Sequence, residues 1–102
     1  MSTMMHPRTE DLTLPAVLYA LGDPVRLQIV RSLQCGSEAC CGAILEGDDV
    51  PKSTQSHHLR ILRESGVIRS RKEGRQYMNC LRRDDLDARF PGLLDAVLAA
   101  PE

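Results

Sequence analysis

The chain has 102 residues, 42% of them hydrophobic, with two Tyr, one Phe, no Trp and a formal net charge of −1 at pH 7. That length makes one domain with one core, small enough for pairing with a second copy to help stabilise it. So few aromatics exclude single-strand recognition by base stacking, and with no apolar run near the ~18–20 residues of a membrane span and no signal-type leader, a cytoplasmic protein with no membrane partner is expected.

Residues 1–11 show no periodicity and are expected as a flexible arm, leaving one domain over residues 12–102. Residues 12–21 read as a helix with Leu14, Val17, Leu18 and Leu21 at helical spacing, its regular part delayed by Pro15. Gly22 and Asp23 end it, and Asp23 followed by Pro24 is a strong cap for a second helix to about residue 34. That helix should bury Val25, Leu27, Ile29, Val30 and Leu33. Ser37 is placed to cap a short third helix through Ala43, Ile44 and Leu45, and residues 46–50 form the turn that follows.

Residues 51–66 are the most informative stretch. Pro51 opens it and Gly66 closes it, the usual punctuation of a helix. Leu59, Ile61 and Leu62 make the C-terminal half apolar, whereas Ser53, Thr54, Gln55 and Ser56 crowd the N-terminal half with hydrogen-bonding groups. Such a helix is suited to pushing its front end into something polar. After Gly66 the period switches to two, giving strands over residues 67–72 and 76–81 with a hairpin tip at Glu73 and Gly74. Residues 84–89 form a short helical turn. From Pro91 a last helix carries Phe90, Leu93, Leu94, Val97 and Leu98 on one stripe, spaced i, i+3, i+4, i+7, i+8. A small domain can hardly cover that stripe, so residues 90–100 are expected to pack with residues 12–22 across a two-fold axis.

Charge is divided along the chain. Residues 52–83 hold Lys52, Arg60, Arg63, Arg69, Arg71, Lys72, Arg75, Arg82 and Arg83 against Glu64 and Glu73, a net +7, while residues 1–51 and 84–102 are each −4. Charges beyond roughly 10 Å are screened at ordinary salt, so a polyanion meets the local face and not the total. Helices followed by a two-stranded antiparallel hairpin and a terminal helix describe a mainly α, dimeric winged helix-turn-helix, whose recognition helix enters the major groove of DNA.

The residues also resemble the ArsR/SmtB family of metalloregulatory repressors. The resemblance runs through Leu21-Gly22-Asp23-Pro24-Val25-Arg26-Leu27-Gln28-Ile29-Val30, through Ser56-His57-His58-Leu59-Arg60-Ile61-Leu62-Arg63-Glu64-Ser65-Gly66-Val67-Ile68, and through the wing Arg71-Lys72-Glu73-Gly74-Arg75. It implies a homodimer joined through its first and last helices, bound to an imperfect palindrome in double-stranded DNA until an inducer releases it. Ser53, Thr54, Gln55, Ser56 and His57 then lie where base edges and nearby phosphates would be. Gln pairs with adenine through two bonds, and Ser or Thr serves many partners. Lys52 and Arg60 suit phosphates, as do Arg71, Lys72 and Arg75 on the wing. His58 lies about 100° round the helix from His57, and is either another contact or bonded within the domain.

In arsenic- and cadmium-responsive members of that family, a Cys-x-Cys pair follows a Glu before the recognition helix. Here the run is Glu38-Ala39-Cys40-Cys41-Gly42, so Cys40 takes the first ligand position, Gly42 the second, and Cys41 is displaced by one. Cys35 is five residues before Cys40, so a three-thiolate site from Cys35, Cys40 and Cys41 is available to arsenite or another thiophilic ion, or to an oxidant. The alternative is that these thiols only pack, in a family repressor without thiol sensing; Cys80, alone on a strand, reads as structural. The family's other metal site, on the last helix, needs a His, and this chain has only His6, His57 and His58. No nucleophile–base arrangement or phosphate loop suggests an enzyme. A winged-helix module that docks a protein is the competing reading; it gives no reason for a net +7 over recognition helix and wing.

Overall fold

The structure is a computed structural model that describes residues 6–33, 39–40, 51–74 and 76–101. A 3-10 turn at Thr9–Asp11 leads into α1 (Leu14–Leu21) and α2 (Pro24–Ser32). Strand β1 (Ala39–Cys40), α3 (Lys52–Ser65), β2 (Ile68–Glu73) and β3 (Gln76–Leu81) follow, then α4 (Arg83–Arg89) and α5 (Leu93–Ala99). This is the mainly helical chain with an antiparallel hairpin that the periodicities predicted.

The local signals act as expected. Pro15 stands in the first turn of α1, where its missing N–H costs nothing. The Asp23 carboxylate accepts from the Val25 N–H at 2.9 Å and the Arg26 N–H at 3.1 Å, fixing the start of α2. Gly66 ends α3 at φ +87°, and the Val67 and Gly66 N–H groups donate back to the carbonyls of Leu62 and Arg63.

Around the hairpin, two features differ from expectation. The third helix was expected to start at Ser37, but Ala39 and Cys40 are extended and pair with Asn79 and Met78 of β3. The hairpin therefore gains a short strand, in the order β1-β3-β2. Ser37, Ala43, Ile44 and Leu45 lie outside the described residues. The hairpin itself runs from Ile68↔Leu81 to Glu73↔Gln76, so Glu73 is still paired and the tip falls one residue later, at Gly74 with φ +63°.

The core is drawn from every described helix and from the start of the hairpin: Leu12, Val17, Ala20, Leu21, Ile29, Val30, Leu33, Leu59, Leu62, Val67, Ile68, Leu86 and Leu94. Of the residues assigned to α2's buried face, Val25 and Leu27 are only half-buried. The expected flexible arm is, over its described part, tied down. His6 Nε2 accepts from the Ser70 N–H at 3.0 Å, the Pro7 carbonyl from Arg82 at 2.7 Å, and Thr9 Oγ1 donates to Asp85 at 2.7 Å. These bonds involve mostly backbone groups and single polar side chains, which leave no periodic trace in a sequence.

Gly66 is where the arm meets α3. A Cβ there would lie 2.0 Å from Leu12 Cδ2, whose side chain is itself buried, and would also need φ +87°. Gly66→Ala should destabilise the fold by about 1–3 kcal/mol, measured by urea unfolding. An unchanged midpoint would mean that Leu12 and the arm give way freely.

Candidate nucleic-acid interface

The helix α3 has two faces set by its sequence. Leu59 and Leu62 sit in the core, with His58 and Ser65 buried beside them. On the other side Lys52, Ser53, Ser56, His57 and Arg60 are exposed, with Thr54 and Gln55 half-buried. No acidic residue occupies its first turn, and Pro51 offers no side-chain cap. The positive end of the helix dipole is thus left uncompensated, which favours an anion such as a phosphate there.

The wing lies next in the chain. Arg69, Arg71, Lys72, Glu73 and Gly74 are all exposed, and Arg75 lies outside the described residues. Arg71 is hydrogen-bonded to Glu73, and Arg69 reaches Asp85 at 3.4 Å. Beneath them Ser70 Oγ donates to Asn79 Oδ1 at 2.6 Å, a buried cross-strand pair that holds the hairpin register. Asp85 gathers Thr9, Arg82 and Arg69. The Thr9 hydroxyl foremost, then the two guanidinium groups, outweigh partial burial and hold its carboxyl below the usual range.

Behind α3 is a polar cluster that the sequence only half disclosed. Arg26 is 6% exposed. Its Nε donates to the Ala20 carbonyl at 2.7 Å, its Nη2 to the Tyr19 carbonyl at 3.1 Å, and its Nη1 lies 3.2 Å from His58 Nδ1. Its guanidinium also lies 5.2 Å from the Tyr19 ring centroid. The Asp23 carboxylate that caps α2 stands 3.8 Å from the same His58 nitrogen. Burial pushes the His58 ring below its ordinary 6.5, Arg26 and His57 push it further, and Asp23 opposes them. Partial burial raises the Asp23 carboxyl, but the Arg26 N–H, the His58 ring, the Arg26 charge and the Val25 N–H together hold it below 3.8. So His58 is bonded within the domain. A signal for Arg26 was present: a cation in the first turn of a helix opposes the dipole and calls for a reason.

The expected thiol cluster is only partly in view. Cys40 is on β1 opposite Met78, two residues along β3 from Cys80, while Cys35 and Cys41 lie outside the described residues. Cys80 is half-buried on β3. Among the described residues no three His, Cys, Asp or Glu side chains converge as a metal site.

The two apolar stripes divide. Val17, Leu21 and Leu94 are buried within the chain's own core. Leu14 and Leu18 are 43% and 46% exposed, and Phe90, Leu93, Val97 and Leu98 are half-buried against the core. No helix among the described residues is long and apolar enough to cross a membrane.

A family model described as bacterial regulatory protein, arsR family, matches residues 23–70. The chain is 34% identical, over 94% of its length and 97% of the relative's, to the uncharacterized HTH-type transcriptional regulator YceK of Bacillus subtilis. It is 36% identical to the arsenical resistance operon repressor of Staphylococcus xylosus, over 72% of this chain and 70% of that one. Among solved structures, the ArsR family transcriptional regulator RHA00566 superposes with a TM-score of 0.68 at 26% identity, covering 84% of this chain and 88% of the other. With the recognition helix, the wing and these likenesses together, the chain belongs to the arsR family: it is a DNA-binding transcriptional regulator built on a winged helix-turn-helix.

Proposed function

We propose that the chain acts as a homodimeric repressor on an imperfect palindrome and leaves it when its thiols meet an inducer. The observation that carries the DNA-contact assignment is the pairing of an exposed, polar, acid-free front on α3 with an exposed basic wing, both backed by one core. Ser53, Thr54, Gln55, Ser56 and His57 read the major groove, Lys52 and Arg60 take phosphates beside it, and Arg71, Lys72 and Arg75 take flanking phosphates. Of the dimer residues, exposed Leu14 and Leu18 and half-buried Phe90, Leu93, Val97 and Leu98 form the contact, and Val17, Leu21 and Leu94 support it from the core. Cys35, Cys40 and Cys41 bind arsenite or another thiophilic ion, or are oxidised. The Staphylococcus xylosus relative, named as an arsenical resistance operon repressor, supports this choice of inducer.

Band shifts and fluorescence anisotropy with the DNA upstream of the chain's own gene test the assignment. Lys72→Ala should weaken binding to specific and random duplexes alike and flatten the salt dependence by about one unit. Gln55→Ala should instead relax discrimination at one or two base pairs, at a cost of about 1–3 kcal/mol against the preferred site. An unaltered sequence preference would place another residue on the bases.

Sedimentation tests the dimer. The wild type should run as a dimer at micromolar concentration and Leu18→Glu as a folded monomer, since a charge facing its symmetry mate in an apolar contact is unpaired and desolvated. A monomeric wild type would remove both the interface and the palindrome.

The inducer is tested by adding arsenite, zinc, mercury or peroxide to the DNA complex. Cys40→Ser with Cys41→Ser should hold DNA and lose the response, whereas Cys80→Ser should keep both. A double variant that still releases DNA with the effective compound would leave these thiols as packing groups only.

A further inference from the structure

The contact between Arg26 and His58 joins the DNA-reading helix to the rest of the fold through one ring nitrogen. Arginine only donates, so His58 Nδ1 must accept at 3.2 Å, and the neutral ring carries its proton on Nε2. Two other Arg26 bonds fix that donor to the last carbonyls of α1. We propose that Arg26 and His58 are positioning residues for DNA binding: the neutral His58 ring holds the recognition helix against the α1–α2 corner, and acid undoes the hold. The inference rests on the DNA-binding reading and adds a proton as a ligand that opposes it.

The groups facing the ring explain the sense of the effect. From the start of α2 come the Asp23 carboxylate and the Arg26 guanidinium; from α1 come the Tyr19 ring, over Arg26, and two carbonyls. From α3 itself comes His57, with ring centroids 5.7 Å apart. Once Nδ1 takes a proton it cannot accept from Arg26, and two like charges then face each other. Asp23 Oδ2, at 3.8 Å, is an acceptor to which the new N–H could turn, and it already accepts from the Val25 and Arg26 N–H groups. Turning to Asp23 would separate His58 from Arg26 and compete with the cap of α2. Because the ring titrates below its ordinary 6.5, the hold is complete above that pH and is lost as pH falls below it.

His57 adjoins His58 and lies on the proposed DNA-contacting face, so its imidazole is first removed from the comparison. The test therefore compares His57→Gln with His57→Gln, His58→Asn, in which the Asn carbonyl takes the place of Nδ1 and accepts from Arg26 at any pH. Anisotropy is measured with the upstream duplex from about pH 7.5 to about pH 5.5 at fixed ionic strength. His57→Gln should lose affinity on acidification, by up to about tenfold per pH unit once His58 titrates. Adding His58→Asn should flatten that slope; any contribution from His6, intact in both chains, would remain. In the wild type without DNA, nitrogen NMR should find Nδ1 unprotonated at neutral pH and give a His58 titration whose midpoint accompanies the loss of affinity.

A protonated Nδ1 at neutral pH, a flat profile in His57→Gln across the pH range in which NMR shows His58 titrating, or a slope that His58→Asn leaves undiminished would each overturn the proposal. If the Asn chain folds poorly, agreement or disagreement of the His57→Gln midpoint with the His58 titration decides. Absence of binding at neutral pH in the wild type would instead count against the DNA reading itself, and leaves the tautomer measurement to judge the hold.

Discussion

A guanidinium removed from water must have its donors satisfied, and the way Arg26 meets that demand organises the front half of this domain. Its side-chain partners come from two other elements, two carbonyls in the last turn of α1 and a histidine on α3, so that three helices meet at one side chain. Each hydrogen bond from a charged donor is worth about 1.5–3 kcal/mol, while a whole domain is stable by about 5–15 kcal/mol. Three such bonds on one side chain are therefore a large share of what fixes the relation between these helices. Apolar contacts alone, being non-directional, would let α3 slide by a fraction of a turn. A directional polar group in the core removes that freedom.

The proposed reading surface benefits because it lies on the reverse side of the same helix. Leu59, Leu62 and His58 face inward while Ser53, Ser56, His57 and Arg60 face solvent, so any rotation that moves one set moves the other. A hydrogen bond to a base tolerates only a few tenths of an ångström before it weakens. The wing is located by a different device, the buried Ser70–Asn79 pair together with Ile68 and Leu81 at the base of the hairpin. Helix and wing are thus positioned independently, yet both by polar groups buried beside apolar ones.

Much of this was legible in the chain itself because it rests on periodicity and punctuation. The Asp23-Pro24 start, the Pro51 to Gly66 span and the alternation after Gly66 each correspond to an observed boundary within one or two residues. What stayed hidden depended on single contacts between distant parts of the sequence. Arg26 was given no role of its own, although its position in the first turn of α2 was a signal. His58 offered two readings because a ring on the flank of a helix suits either side. The β1 strand is two residues long, too short for any alternation to show, and the docking of residues 6–11 relies on one backbone carbonyl, one ring nitrogen and one hydroxyl, none of which leaves a periodic trace. The apolar stripes of α1 and α5 were read correctly as apolar, but burial within one chain and burial between two leave the same spacing, so Val17, Leu21 and Leu94 were indistinguishable from Leu14 and Leu18.

The extra strand changes the character of the wing. A hairpin standing alone in water is marginal and presents two rows of unsatisfied backbone groups on which another chain could build. Here β1 covers part of the open side of β3, and the His6 ring occupies an N–H on the open side of β2. Both flanks are thereby closed near the base, while around Gly74 at the tip a side chain would meet nothing within 4 Å. The wing is consequently anchored at its base, while among the described residues nothing packs on Gly74, so a change of length or charge at the tip would not require the domain to be rebuilt.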